Sequence, residues 1–359
     1  MNAAMHLNEM GQRLWLDNLT RGLLASGTLE RYLHDFDVSG LTSNPSTFEA
    51  AIATAGAYDA QIAAKARDGL TGEALFFALA LDDVRAAADL FLPLHTQTRG
   101  LDGWVSLEVS PLLAHDAAGT LDAAKSLHAR AGRPNVFIKI PGTAEGLVAI
   151  EEAIFAGVPI NVTLLFSREQ YVATANAYLR GIQRRIDARL DPKVASVASL
   201  FVSRWDGAAN SKVAPALANQ LGIAIARRTY VAYRELLASP QWRALAEQGA
   251  LPQRLLWAST GTKDPAAPDT LYVDALTAPN TIITVPEKTL LAFADHGTVN
   301  GSMPPEGGDC EQVIAAFAKA GIHDAKLAEQ LQQQGEASFD KSWHSLLDVI
   351  EAKSAALPK

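Results

Sequence analysis

Eight short apolar runs recur along this chain, and most carry a polar side chain near their C-terminal end. Leu14-Trp15-Leu16 leads into Asp17, Gly40-Leu41 into Thr42-Ser43-Asn44-Pro45, and Gly103-Trp104-Val105-Ser106-Leu107 into Glu108. Asn135-Val136-Phe137-Ile138 leads into Lys139-Ile140-Pro141, and Pro159-Ile160-Asn161-Val162-Thr163-Leu164-Leu165-Phe166 holds two polar residues. The last three are Val197 through Ser203-Arg204, Leu255-Leu256-Trp257-Ala258-Ser259-Thr260, and Thr281-Ile282-Ile283-Thr284-Val285-Pro286. Such runs read as buried strands, and segments of helical period separate most of them. This alternation predicts an α/β chain, a (β/α)8 (TIM) barrel whose chemistry collects at the C-terminal strand ends. An open doubly wound sheet is the alternative, but no Gly-rich turn follows the first strand.

The intervening segments carry helix punctuation. Ser167-Arg168-Glu169-Gln170 reads as a capping box opening a helix that runs to about Ile186. Leu121 to Ala131 reads as a helix with Thr120 as N-cap and Gly132-Arg133-Pro134 as its stop. Another follows the fourth strand from Thr143 to Ala156 and ends at Gly157. Residues 46 to 100 hold two helical segments, the second from about Gly72 to Thr98, and residues 207 to 252 hold about two more. From about 311 to 356 further helices extend beyond the last strand. There Phe339, Trp343, Leu346 and Ile350 form an apolar stripe expected to dock on the barrel. Asp82-Asp83 reads as a solvated helix face and His115-Asp116 as loop.

Composition suits one large core. With 359 residues and 48% hydrophobic content, residues 1–359 make a single barrel domain plus extra helices. A net charge of -8 without a Lys/Arg cluster argues against nucleic acid as a partner. The one cysteine, Cys310, cannot form an internal disulfide and suits a reducing, cytoplasmic setting. The N-terminus, interrupted by Asn2, His6, Asn8 and Glu9, does not read as a signal peptide. No run approaches the ~20 apolar residues needed to span a membrane. The eight histidines form no HExxH or short ligand pair, so no metal is expected.

Lys139 is the only charge in the run Asn135 to Pro141. Flanked by Ile138 and Ile140, its ammonium should lose hydration, which disfavours the charged form. A neutral amine at a strand end is equipped to form a Schiff base with a carbonyl substrate. The plainer reading is a lysine that snorkels to water or pairs with a carboxylate.

Several of these segments resemble those of one family, the transaldolases. Gly40-Leu41-Thr42-Ser43-Asn44-Pro45-Ser46-Thr47-Phe48 is similar to their early signature. Asn135 to Gly146, Asn-Val-Phe-Ile-Lys-Ile-Pro-Gly-Thr-Ala-Glu-Gly, is similar to their Schiff-base lysine segment. Pro159 to Ser167, Val105 to Val109 and Ala258 to Lys263 are three further matches. In order and with barrel-compatible spacing, the resemblance runs from about Trp15 to Ile350. It is closest to the longer, type 2 bacterial branch.

That resemblance implies a class I aldolase of the pentose phosphate pathway, a (β/α)8 barrel with an extra C-terminal helix, working without metal or other cofactor. Its substrates would be small sugar phosphates. A dihydroxyacetone unit passes from sedoheptulose 7-phosphate to glyceraldehyde 3-phosphate, giving erythrose 4-phosphate and fructose 6-phosphate. By the same resemblance Lys139 forms the imine and Asp17 acts as acid/base at the C4 hydroxyl. Glu108 shuttles protons to a water held by Thr163. Asn44 and Asn161, with Thr42 beside them, bind the hydroxyls of the dihydroxyacetone unit. Arg204, Ser199 and Ser259 hold the phosphate. Lys263 stands near where the shorter branch carries a second arginine, so its place in the phosphate site is open.

Each of these residues also has a structural reading. Asp17 could cap a helix, Glu108 could simply pair with Lys139, Asn44 could shape a turn before Pro45, and Arg204 could bridge to Asp206. Two other functions stay open beside the transferase. One is a fructose-6-phosphate aldolase-like lyase, whose smaller members lack the aspartate on strand one. The other is a barrel that binds sugar phosphate without catalysis.

Overall fold

The computed structural model describes residues 2–54 and 56–356. Its strands are β1 (Arg13–Asp17), β2 (Val38–Thr42), β3 (Trp104–Glu108), β4 (Val136–Pro141), β5 (Ile160–Leu165), β6 (Ser196–Phe201), β7 (Gln253–Ala258) and β8 (Ile282–Val285). They are parallel and close in chain order, β8 pairing back on β1 through Arg13 with Ile282 and Leu16 with Val285. The fold is therefore a (β/α)8 barrel with no free sheet edge. Two strands are shorter than their apolar runs. β6 ends at Phe201, so Arg204 lies in the first turn of the helix Ser203–Ala209. β7 ends at Ala258, where Ser259 turns the chain away with φ of 53°.

Register places the polar strand ends side by side. Glu108 is the partner of Lys139 across β3 and β4, Lys139 of Asn161 across β4 and β5, and Asp17 of Thr42 across β1 and β2. The opposite end of the barrel is filled by aromatic rings, with Trp104 stacked on Phe137 at 4.0 Å. Gly40 is required there, because a Cβ would lie 2.4 Å from the Trp15 ring. Asp102 ties that end together, accepting from Arg13 Nε and Arg254 Nη1, each at 2.8 Å.

Most helix boundaries agree with the sequence signals. Ser167 and Gln170 form both bonds of the capping box opening Arg168–Asp187. Thr143 caps Ala144–Ala156 through Gly146 N, and Gly157 ends that helix at φ of 88°. Three expectations change. The helix expected from Leu121 starts at Ala117, because the Asp116 carboxylate accepts from Gly119 N and caps it. Thr120 is inside that helix and donates to Leu113 O. Residues 46–100 hold three α-helices, Pro45–Thr54, Asp59–Arg67 and Gly72–Gln97, rather than two. Asp83 is buried, accepting from Arg21 Nε at 2.9 Å and Tyr58 Oη at 2.8 Å, while Asp82 alone stays at the surface with Lys65 and Arg85.

The C-terminal extension consists of Cys310–Lys319 and the 33-residue helix Asp324–Ala356. Trp343, Leu346 and Ile350 are buried, with Trp343 edge-on to Phe76 at 5.0 Å and donating from Nε1 to Glu73 at 2.8 Å. The stripe docks as expected, except that Phe339 turns to the mouth of the barrel. Among the described residues, no helix is long and apolar enough to cross a membrane.

Candidate active site

A cavity of about 240 Å³ opens at the C-terminal strand ends. Asp17, Thr42 and Asn44 line it from β1 and the end of β2, and Lys139 and Thr163 from β4 and β5. Ser199, Arg204, Ser259 and Lys263 line it from β6, β7 and the segments that follow them. Glu108 and Asn161 are buried behind these residues and reach the cavity only through hydrogen bonds to them. A larger groove, about 770 Å³, opens beside Arg13 and Asp102 at the other end, and several of its charges are already engaged. Arg13 is spent on Asp102 there, and Asp89 on Arg133.

Lys139 is 6% exposed, yet its amine is not in apolar surroundings. Nζ donates to Glu108 Oε2 and to Ser43 O, both at 3.0 Å, leaving one of its three donor positions for the cavity. Burial pushes the Glu108 carboxyl above its ordinary range, the Lys139 charge pulls it back, and Asp17 adds a smaller upward push. The ion pair foreseen as the plain reading of Glu108 thus exists, at the same strand ends as Asp17.

Asp17 is held from one side. Thr42 Oγ1 donates to its Oδ1 at 2.8 Å, and Asn44 Nδ2 approaches the same oxygen at 3.4 Å. Asn44 lines the cavity and also takes the structural part foreseen for it, since its Oδ1 accepts from Thr47 N at 3.1 Å and so shapes the helix start. Thr284 on β8, not singled out from the sequence, lines the cavity and exchanges a 2.8 Å hydrogen bond with Thr42. A lone polar residue among Ile282, Ile283 and Val285 was the signal for it.

Asn161 is fully buried and paired, donating to Ser106 Oγ at 3.1 Å and accepting from Ser199 Oγ at 2.7 Å. The Ser199 hydroxyl proton is therefore engaged inward. Thr163 differs: its Oγ1 is buried with no partner among the described residues, and the residue lines the cavity. Ser259 contacts Ser203 Oγ at 3.1 Å. Ser259 and Leu164, beside the cavity, have left-handed backbones, the latter at the irregularity between Val162 and Leu165. Strain of this kind costs about 1–3 kcal/mol per residue and gathers where function needs it.

Arg204 does not form the bridge to Asp206. That carboxylate accepts instead from Tyr272 Oη at 2.8 Å, Leu221 N at 2.9 Å and Gly222 N at 3.2 Å. Among the described residues Arg204 has no acidic partner; burial pushes its guanidinium below the ordinary value, and Cζ lies 5.6 Å from the Phe201 ring centre. Lys263 is exposed at the rim, also without an ion pair among the described residues. Two uncommitted cations at the mouth suit an anionic ligand. Deeper in are a contacted amine and two carboxylates, the equipment for carbonyl chemistry with proton transfer.

The family model described as transaldolase/fructose-6-phosphate aldolase matches residues 14–350. The chain belongs to this family. It is an enzyme of that family, and full-length relatives agree. A transaldolase of Arthrobacter sp. (strain FB24) is 44% identical, with 98% of each chain covered. One from Renibacterium salmoninarum is 44% identical over 96% of this chain and 95% of its own. Another, from Thiobacillus denitrificans, is 42% identical over 98% of this chain and 100% of its own.

Proposed function

We propose that this chain is a transaldolase, a transferase that works through an imine at Lys139. The observation that carries the reading is the meeting of Lys139 and Asp17 at one cavity, with Glu108 buried 3.0 Å behind the amine. Lys139 adds to the C2 carbonyl of a ketose phosphate, and loss of water leaves a protonated imine. The C3–C4 bond then breaks, its electrons pass into the imine as an enamine, and Asp17 takes the proton of the C4 hydroxyl as the first aldehyde leaves. The enamine carbon attacks a second aldehyde, whose oxygen regains a proton from Asp17, and water releases the new ketose. Glu108, with a water at the unpartnered Thr163 hydroxyl, carries protons for making and hydrolysing the imine.

On this reading sedoheptulose 7-phosphate and glyceraldehyde 3-phosphate give erythrose 4-phosphate and fructose 6-phosphate, within the non-oxidative pentose phosphate pathway. Thr42, Asn44 and Asn161 serve the dihydroxyacetone end, Asn161 by orienting Ser199 or by exchanging that partner for substrate. Arg204, Ser259 and Lys263 serve the phosphate. The whole chain acts as one barrel unit on small sugar phosphates in the cytoplasm, where a buried Cys310 stays reduced.

The test is borohydride reduction in the presence of fructose 6-phosphate, followed by peptide mass analysis. A reduced dihydroxyacetone adduct on Lys139 is expected. Labelling of another lysine with turnover intact overturns the assignment, and free dihydroxyacetone as the main product in the presence of an acceptor would indicate a lyase.

A further inference from the structure

The C-terminal helix Asp324–Ala356 brings to the cavity one residue that the scheme above does not use. Gln332, Glu336, Phe339 and Trp343 recur every three or four positions, with Gly335 four before Phe339, so they share one face of that helix. Gln332 Nε2 donates to Gly142 O at 3.1 Å and Leu164 O at 3.0 Å, carbonyls at the ends of β4 and β5. Gly335 packs so closely that a Cβ would lie 2.9 Å from Leu164 Cδ2. Glu336 meets His115 Nε2 at 3.1 Å, and Trp343 is fixed to Glu73. Between these anchors the Phe339 ring centre lies 6.0 Å from Lys139 Nζ. The ring is only half-buried and lines a cavity whose other lining is rich in hydroxyls and charges. One edge of Phe339 packs on the apolar cluster that holds Phe166, Phe201 and Leu331, while the ring also faces the cavity beside the Lys139 amine.

We propose that Phe339 sets the partition between transfer and hydrolysis by keeping bulk water from the enamine formed at Lys139. The proposal rests on the Lys139 imine. That enamine has two fates. In transfer its carbon attacks the acceptor aldehyde, forming a carbon–carbon bond while the aldehyde oxygen gains a proton. In hydrolysis the same carbon takes a proton from water to give the iminium. The hydroxide left behind adds to the imine carbon, and the carbon–nitrogen bond breaks, its electron pair and a proton returning to Lys139. Enamine plus water thus becomes free dihydroxyacetone plus the amine. The first step of hydrolysis requires water at the enamine carbon, and an apolar ring close to Nζ denies it that access.

The experiment uses the full-length enzyme and its Phe339→Ala and Phe339→Leu variants, with fructose 6-phosphate as donor. Free dihydroxyacetone release and transfer to erythrose 4-phosphate are measured in the same reaction. Their ratio does not depend on how much enzyme is folded, so a loss of stability cannot mimic the effect. Phe339→Ala should raise the hydrolysis-to-transfer ratio about 10-fold or more, while Phe339→Leu, which keeps apolar bulk, stays nearer the wild type. An unchanged ratio in both variants, whatever the total rate, overturns the role of Phe339 even if the borohydride adduct forms on Lys139. Absence of that adduct in the wild type overturns instead the reading on which the proposal rests, and the proposal with it.

Discussion

Glu108 Oε2 lies 3.0 Å from Lys139 Nζ, and both side chains are more than nine-tenths buried. A lone buried lysine could be removed at little cost to stability. A buried pair behaves differently, because deleting one member strands the other. Lys139→Met should abolish turnover and leave Glu108 unpaired. The folded-state pKa of Glu108, already raised by burial, then rises further above the unfolded value of about 4.3. A raised carboxyl favours the folded state below the unfolded value, and that advantage is lost as pH climbs. Lys139→Met should therefore match wild-type stability near pH 4 and fall short by up to about 3–5 kcal/mol near pH 8. Urea midpoints at both pH values measure this, and Lys139→Met/Glu108→Gln should recover much of the loss. A pH-independent deficit would contradict it.

Glu108→Gln preserves shape and a hydrogen bond from Lys139 while removing the proton carrier. We expect kcat/KM to fall about 10²–10⁴-fold. Because burial raises the Glu108 carboxyl, the wild-type acid limb should lie above the ordinary glutamate range. That limb should flatten in the variant. A pH–rate profile of unaltered shape would remove Glu108 from the proton path.

Phosphate recognition is tested by Arg204→Gln and Lys263→Gln, each assayed with phosphorylated and unphosphorylated aldehyde acceptors. A charge-assisted contact made in the bound state is worth roughly 1.5–3 kcal/mol, or about 10- to 150-fold in affinity. The effect should fall on KM more than on kcat and vanish without the phosphate. Arg204, half-buried and without an acidic partner among the described residues, should show the larger effect. If Lys263→Gln matches wild type with both acceptors, Lys263 is a surface residue.

His115 bridges Glu145 at 3.2 Å and Glu336 at 3.1 Å, and so joins the C-terminal helix to the barrel. Its hydrogen bond to Glu145, with help from the Glu336 and Glu145 charges, raises its pKa above the ordinary value. A raised histidine stabilises below the unfolded value of about 6.5, and the contribution disappears as pH rises through the folded one. His115→Asn should thus lower the melting temperature at pH 6 and leave it unchanged at pH 9. Being exposed and screened by solvent, the bridge contributes little, so the shift at pH 6 should be small. Equal shifts at both pH values would show that packing, not charge, is at stake.

The barrel was legible in the sequence because its causes are local. Short apolar runs ending in Asp17, Thr42, Glu108 and Lys139 alternate with helices that carry their own caps, as at Ser167 and Thr143. Given that alternation, parallel strands and a shared C-terminal rim follow, so candidate residues could be gathered before their neighbours were known. Partners were another matter. Lys139 takes its acceptors from positions 31 and 96 residues away, Asp83 is buried by an arginine 62 residues off, and Asp206 is drawn from Arg204 to Tyr272. Hydrogen bonds of that span depend on register and helix docking, which no short window encodes. Phe339 shows the limit most clearly. It sits in the same apolar stripe as Trp343, Leu346 and Ile350, and only the docking of the helix across β4 and β5 brings it to the core's edge beside the amine.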